Sequence, residues 1–126
     1  MRLDEHWKED PEEHDYPAAK SYLSMLVDPD EADRLVKKLK DEDGLHHFAA
    51  KDILRASGLA CLPADDPEVA EDLSKVRAGT LLSPALLVRG FPLWIADGYH
   101  RVCASYHINE NTEIPCRLIL LPVSAA

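Results

Sequence analysis

The chain has 126 residues, with 14 Lys and Arg against 23 Asp and Glu, for a formal net charge of -9. That length suits one domain, and no apolar run is long enough to cross a bilayer. The acidic balance argues against unaided tracking of DNA or RNA phosphates, an affinity that comes mainly from Lys and Arg. The opening MRLDEHWKEDPEEHDYP is acidic where a secretory signal needs basic and apolar segments. Three cysteines without a CxxC pair suit reduced thiols better than a disulfide framework. The expectation is a soluble, cytoplasmic protein.

Residues 1–16 are rich in charge and poor in apolar periodicity, which predicts a flexible or surface-hugging lead-in, with a docked tail as the minor alternative. Within it, Trp7 is either a docking residue for a partner or second copy, or a side chain folded back on its own helices. Residues 17–44 read as a helical extension. Its first helix starts at Pro17 and places Ala18, Tyr22, Leu23 and Leu26 on one face. Its second helix has Asp28 as N-cap, Pro29 at the first position and Glu31 completing a capping box. There the stripe is Ala32, Leu35, Val36 and Leu39, and Gly44 is the stop. Such a pair caps something else, and it offers a surface to a protein partner.

Residues 45–126 form the main domain. His46 to Ser57 is expected as a strand before a turn at Ser57-Gly58. A helix follows, with Asp66 as N-cap, Pro67 at the first position, Val69, Leu73 and Val76 as its buried stripe, and Gly79 at its end. SPALLVRG and FPLWIADG read as a hairpin about Gly90-Phe91-Pro92, Gly98 opens the helix YHRVCASYHINE, and Ile114 to Val123 is a last strand. The layout predicts an α+β fold, a small mixed sheet flanked by helices.

The chemistry concentrates in IADGYHRVCA. A glycine where a strand hands over to a helix leaves free backbone donors at the positive end of the helix dipole, a natural seat for phosphate or carboxylate. His100 and Arg101 would add a titratable donor and a bidentate cation. Asp97 could orient His100, bind a metal ion or act as a base. The alternative is structural: Gly98 permits a tight turn, Arg101 pairs with an acidic neighbour and His100 is an ordinary surface histidine. His100, Cys103, His107 and Cys116 have donor types that suit zinc, but Cys103 and Cys116 sit in apolar contexts where cysteine packs as a small hydrophobe, and no metal site is assigned. Trp94 reads as core.

Gly98-Tyr99-His100-Arg101, followed by Val102-Cys103-Ala104, resembles the G-C-H-R segment of sulfiredoxins and the G-x-x-R-x-x-A segment of ParB-type chromosome-partitioning proteins, two branches of one superfamily. The order of Asp52-Ile53-Leu54-Arg55, Asp66-Pro67, Ser83 to Val88, Asp97 to Arg101 and Ile114 to Leu118 is similar to that of sulfiredoxins over residues 46–121. The resemblance implies a ParB/sulfiredoxin-like fold with a two-helix N-terminal extension. It also implies a nucleotide-phosphate pocket made by Arg55, Gly98, Tyr99, His100 and Arg101, taking ATP or CTP with Mg²⁺, with Asp97 and His100 as catalytic candidates.

Departures from the pattern narrow that expectation. The reactive cysteine of sulfiredoxins falls at Tyr99, so repair of sulfinic cysteine is not expected, since a phenol cannot replace a low-pKa thiolate. Positions that engage ATP from the long helix fall near Glu68, Glu71 and Lys75, and two carboxylates would repel a triphosphate. Little chain follows Leu121, so sequence-specific DNA binding is not expected either. A phosphotransferase or nucleotide hydrolase remains compatible, because phosphoryl transfer rests on positioning and charge stabilisation; Asp97 or Glu68 could then serve as the base, and the spacing does not choose between them. Its rival is a non-catalytic interaction module with a degenerate pocket; a nuclease ranks third for want of a basic surface.

Overall fold

The computed structural model describes residues 6–42 and 44–120. Along the chain these form α1 (Asp15–Leu23), α2 (Pro29–Asp41), β1 (His46–Ala49), α3 (Ala50–Ser57), α4 (Pro67–Arg77), β2 (Ala85–Arg89), β3 (Trp94–Asp97), α5 (Tyr99–Ile108) and β4 (Glu113–Leu120). The strands make one mixed sheet in the order β1-β4-β2-β3, with β2 parallel to β4 and the other two pairings antiparallel. Fold class is therefore α+β, and no described helix is long and apolar enough to cross a membrane.

The sheet is covered on both faces, which explains its sequence. Strand β2 is buried from Ala85 to Val88, so it reads as a continuous apolar run rather than an alternation. Ala85 and Leu87 join the core formed with α3, α4 and α5, whereas Leu86 and Val88 join the core formed with α1 and α2. The two N-terminal helices thus close the second face of the sheet.

Several local expectations are met. Asp28 caps α2 by accepting from the Glu31 N–H at 3.0 Å, and Ala32, Leu35 and Leu39 are buried. Asp66 caps α4 by accepting from the Glu68 and Val69 N–H groups, each at 3.2 Å. The β2-β3 hairpin forms as expected, and Trp94 packs half-buried against the second core. The last strand runs to Leu120; its expected continuation to Val123 lies outside the described residues.

Three expectations are corrected. His46 to Ser57 is strand only as far as Ala49 and then turns helical. A strand would point Ile53 and Leu54 to opposite faces, whereas the helix buries Ala50, Ile53, Leu54 and Ser57 on one side, and Gly58 closes it with φ of 71°. The strand that the resemblance places over Asp52 to Arg55 is therefore α3. Helix α1 begins two residues before Pro17, and its buried side is Asp15, Tyr16, Ala19 and Leu23, with Leu26 exposed beyond its end.

The lead-in, over its described part, is docked. His6 is buried, with Nε2 at 2.9 Å from the Ser105 hydroxyl. The Lys8 N–H donates to the Leu82 carbonyl and the Leu82 N–H to the His6 carbonyl, both at 2.7 Å. Trp7 bridges to Leu82 and packs against the first core, so it is committed to its own chain rather than held out as a docking residue.

Candidate functional site

The handover from β3 to α5 lies beside the start of β2. Gly98 has a φ of 106°, in the left-handed region that disfavours side chains. A Cβ there would also sit 3.0 Å from Arg101 Nη2 and 3.2 Å from Ala85 Cα. Glycine is required twice, by backbone angle and by space. Gly98 provides no side-chain cap for α5, so the positive end of that helix is open to an acceptor from outside.

Arg101 turns back toward the strand. Its Nε donates to the Ser83 carbonyl at 2.9 Å, and Nη2 donates to the Pro84 carbonyl at 3.2 Å and to Asp97 Oδ2 at 3.0 Å. The guanidinium therefore staples the first turn of α5 to the entry of β2, and Asp97 is its counter-ion rather than the partner of His100. Burial pushes the Asp97 carboxyl above its ordinary range; Arg101 opposes that shift, and the neighbouring buried Asp15 adds to it.

Helix α4 supplies the facing wall. Glu68, Glu71, Asp72 and Lys75 line a groove of about 340 Å³ together with Asp97 to Arg101. Glu68 Oε2 lies 2.8 Å from His100 Nδ1, so Glu68 rather than Asp97 orients the imidazole. When the ring is neutral with Nδ1 donating to Glu68, Nε2 is free to accept. The Tyr99 hydroxyl donates to the Ala60 carbonyl and ties α5 to the loop ahead of α4; burial raises this phenol's pKa. Asp72 is also raised, first by desolvation, with Lys75 and Arg101 opposing and Glu71 reinforcing the shift.

Gly98, Tyr99, His100, Arg101 and Asp97 are thus brought together. Arg55 is not among the groove's lining residues. It lies on the exposed side of α3, paired with Asp52 at 3.1 Å, because the helical turn carries it away from the strand position assigned to it.

Among the described residues, His100, Cys103, His107 and Cys116 do not gather as one donor set, although Cys61 Sγ lies 3.6 Å from His107 Nε2. His107 Nε2 is 2.7 Å from the Leu62 carbonyl, Cys103 Sγ accepts from the Leu62 N–H at 3.4 Å, and Cys116 donates to the Ile114 carbonyl. Burial pushes Cys103 up to about 11 and Cys116 up to about 12, so both are neutral thiols. Sequence reasoning missed a second acidic group near Asp97. Glu12, His14 and Asp15 place their donor atoms within 4.8 Å of one another, with Asp15 buried and accepting from the Glu12 N–H at 2.9 Å. A carboxylate in a charged stretch carries no mark of burial, and only the docking of the lead-in distinguishes Asp15 from its neighbours.

Comparison of the chain with family models, with curated proteins and with solved structures finds no match. The chemistry of the groove has to be read from its own residues.

Proposed function

We propose that the α4-α5 groove binds a phosphate-bearing small molecule, a nucleotide such as ATP or CTP in the first place, as its Mg²⁺ complex. The observation that carries this reading is the uncapped N-terminus of α5 opening on a polar groove beside a His100 held by Glu68. First-turn N–H groups and the helix dipole would take one phosphate, with Lys75 as a further donor. Glu68, Glu71, Asp72 and Asp97 would repel a bare polyphosphate. Mg²⁺ is commonly held by one or two carboxylates with the remaining sites filled by phosphate and water, and Glu71 and Asp72 have the donor chemistry for that share. The metal would neutralise phosphate charge. His100 Nε2 would accept the proton of an attacking hydroxyl or water, the step that a phosphotransferase or nucleotide hydrolase needs. Asp97 acts here by holding Arg101. The similarity of the Gly98 to Arg101 segment to ParB/sulfiredoxin-like proteins supports the same ligand class.

Thermal denaturation against ATP, CTP, pyrophosphate and phosphate, each with and without Mg²⁺, tests this. A ligand at about a hundred times its dissociation constant adds about 2.7 kcal/mol, and that shift should need Mg²⁺ and vanish in His100→Ala and Glu71→Gln. The absence of a shift with every ligand overturns the reading. A second reading is favoured by one observation: the guanidinium of Arg101 is occupied by two carbonyls and Asp97. A groove whose strongest anion binder is spent on the fold suits a non-catalytic interaction module.

A further inference from the structure

At the opposite end of β2 from Gly98, the hairpin tip carries Phe91, whose side chain is fully exposed. The tip does not hang free: the Leu93 N–H donates to the Ala56 carbonyl at 3.0 Å and fastens it to the end of α3. Beside it is an apolar cavity of about 180 Å³ lined by Phe48, Ile53, Ala56, Leu87, Leu93 and Leu118. Arg89 and the half-exposed Asp52 also line it, so its margin carries both signs of charge. Phe91 is not among the lining residues; the chain presents the ring next to its own cavity without filling it.

We propose that two copies of this chain associate through a two-fold axis at this end of the sheet, Phe91 of each entering the cavity of the other. Size and charge select a second copy as the occupant. An apolar cavity of about 150 Å³ accommodates a benzene ring, so one aromatic side chain suits the volume here. A two-fold contact uses the same patch twice, so a protrusion next to a recess becomes self-complementary when it is rotated onto itself. The margin offers both signs of charge, Arg89 and an Asp52 shared with Arg55, so each copy has an opposite charge to present where the net charge of -9 otherwise makes copies repel. Desolvated aromatic anchors of this kind carry much of the energy of protein interfaces.

Sedimentation equilibrium of the full chain across the micromolar to millimolar range tests the proposal. A reversible monomer-dimer equilibrium is expected. Phe91→Ala, which removes an exposed ring and should leave Tm unchanged, should weaken it roughly thirtyfold or more. Ala56→Trp, which fills the cavity from an exposed helix position, should weaken it similarly. A mixture of the two variants should associate more tightly than either alone, because one ring and one open cavity are then restored. A chain that stays monomeric throughout, as when the cavity serves a small molecule or a different protein, overturns the proposal. So does a dimer that both substitutions leave intact. Neither result bears on the α4-α5 groove.

Discussion

Gly98 and Arg101 work as one device at the residue scale. The glycine lets the chain turn at a φ of 106° and leaves space for the arginine to fold back against Ala85. Gly98→Ala adds a Cβ both at an unfavourable φ and within 3.2 Å of backbone. It should destabilise the protein by about 1–3 kcal/mol, read as a lower denaturant midpoint at unchanged m. Arg101→Lys should not restore what Arg101→Ala removes, because an ammonium cannot span two carbonyls and a carboxylate in the fork geometry of a guanidinium. Both variants should unfold at lower denaturant, each by about 2–4 kcal/mol, since Asp97 is left half-buried without its partner.

Asp72 belongs to the same scale and carries a pH signature. Its carboxyl is raised above the ordinary 3.8 by burial, so the folded state holds the proton more tightly than the unfolded chain does. The stabilisation from this group is complete below that ordinary value and is lost as pH rises through the raised one. Asp72→Asn should therefore match the parent in acid and exceed it in Tm at neutral pH. Parallel melting curves from acid to neutral pH check this. A gap that shrinks as pH rises would contradict it.

At the scale of elements, α4 decides whether the groove exists, because it carries Glu68, Glu71, Asp72 and Lys75. Its start is set locally by Asp66, whose carboxylate accepts two N–H groups, and by Pro67. Asp66→Ala should cost about 1 kcal/mol and loosen the Glu68 to His100 contact, visible as a change in the His100 ring chemical shifts by NMR. Helix α3 shows the limit of local reading. Its eight residues are too few for a clear period, and the apolar pair Ile53-Leu54 suits a buried strand as well as a helix. The sheet settles the matter: β1 pairs with β4 only between Glu113 and Cys116, and the chain then crosses the sheet face, where a helix alone buries both side chains.

At the scale of the whole molecule, the lead-in and the sheet are stitched together by pairings far apart in sequence. The amides of Lys8 and Leu82 are each bonded across this seam, so both should exchange with solvent as slowly as those of the central strand. Amides in the turn from Ser24 to Val27 should exchange much faster. Fast exchange at Lys8 and Leu82 would show that the seam opens independently of the core.

The chain by itself determined the features whose causes lie within a few residues of each other. These are the capped starts of α2 and α4, the β2-β3 hairpin, the glycine turn into α5, and the buried run of β2. They were legible because capping, proline and glycine geometry and hydrophobic period act over one or two turns of backbone. The tertiary structure alone decided that Arg55 points away from the groove, that Arg101 is spent on Ser83, Pro84 and Asp97, that Glu68 holds His100, and that Asp15 is buried. Each of these depends on which distant segment packs alongside. Burial and charge pairing are set by that packing, not by the identity of sequence neighbours.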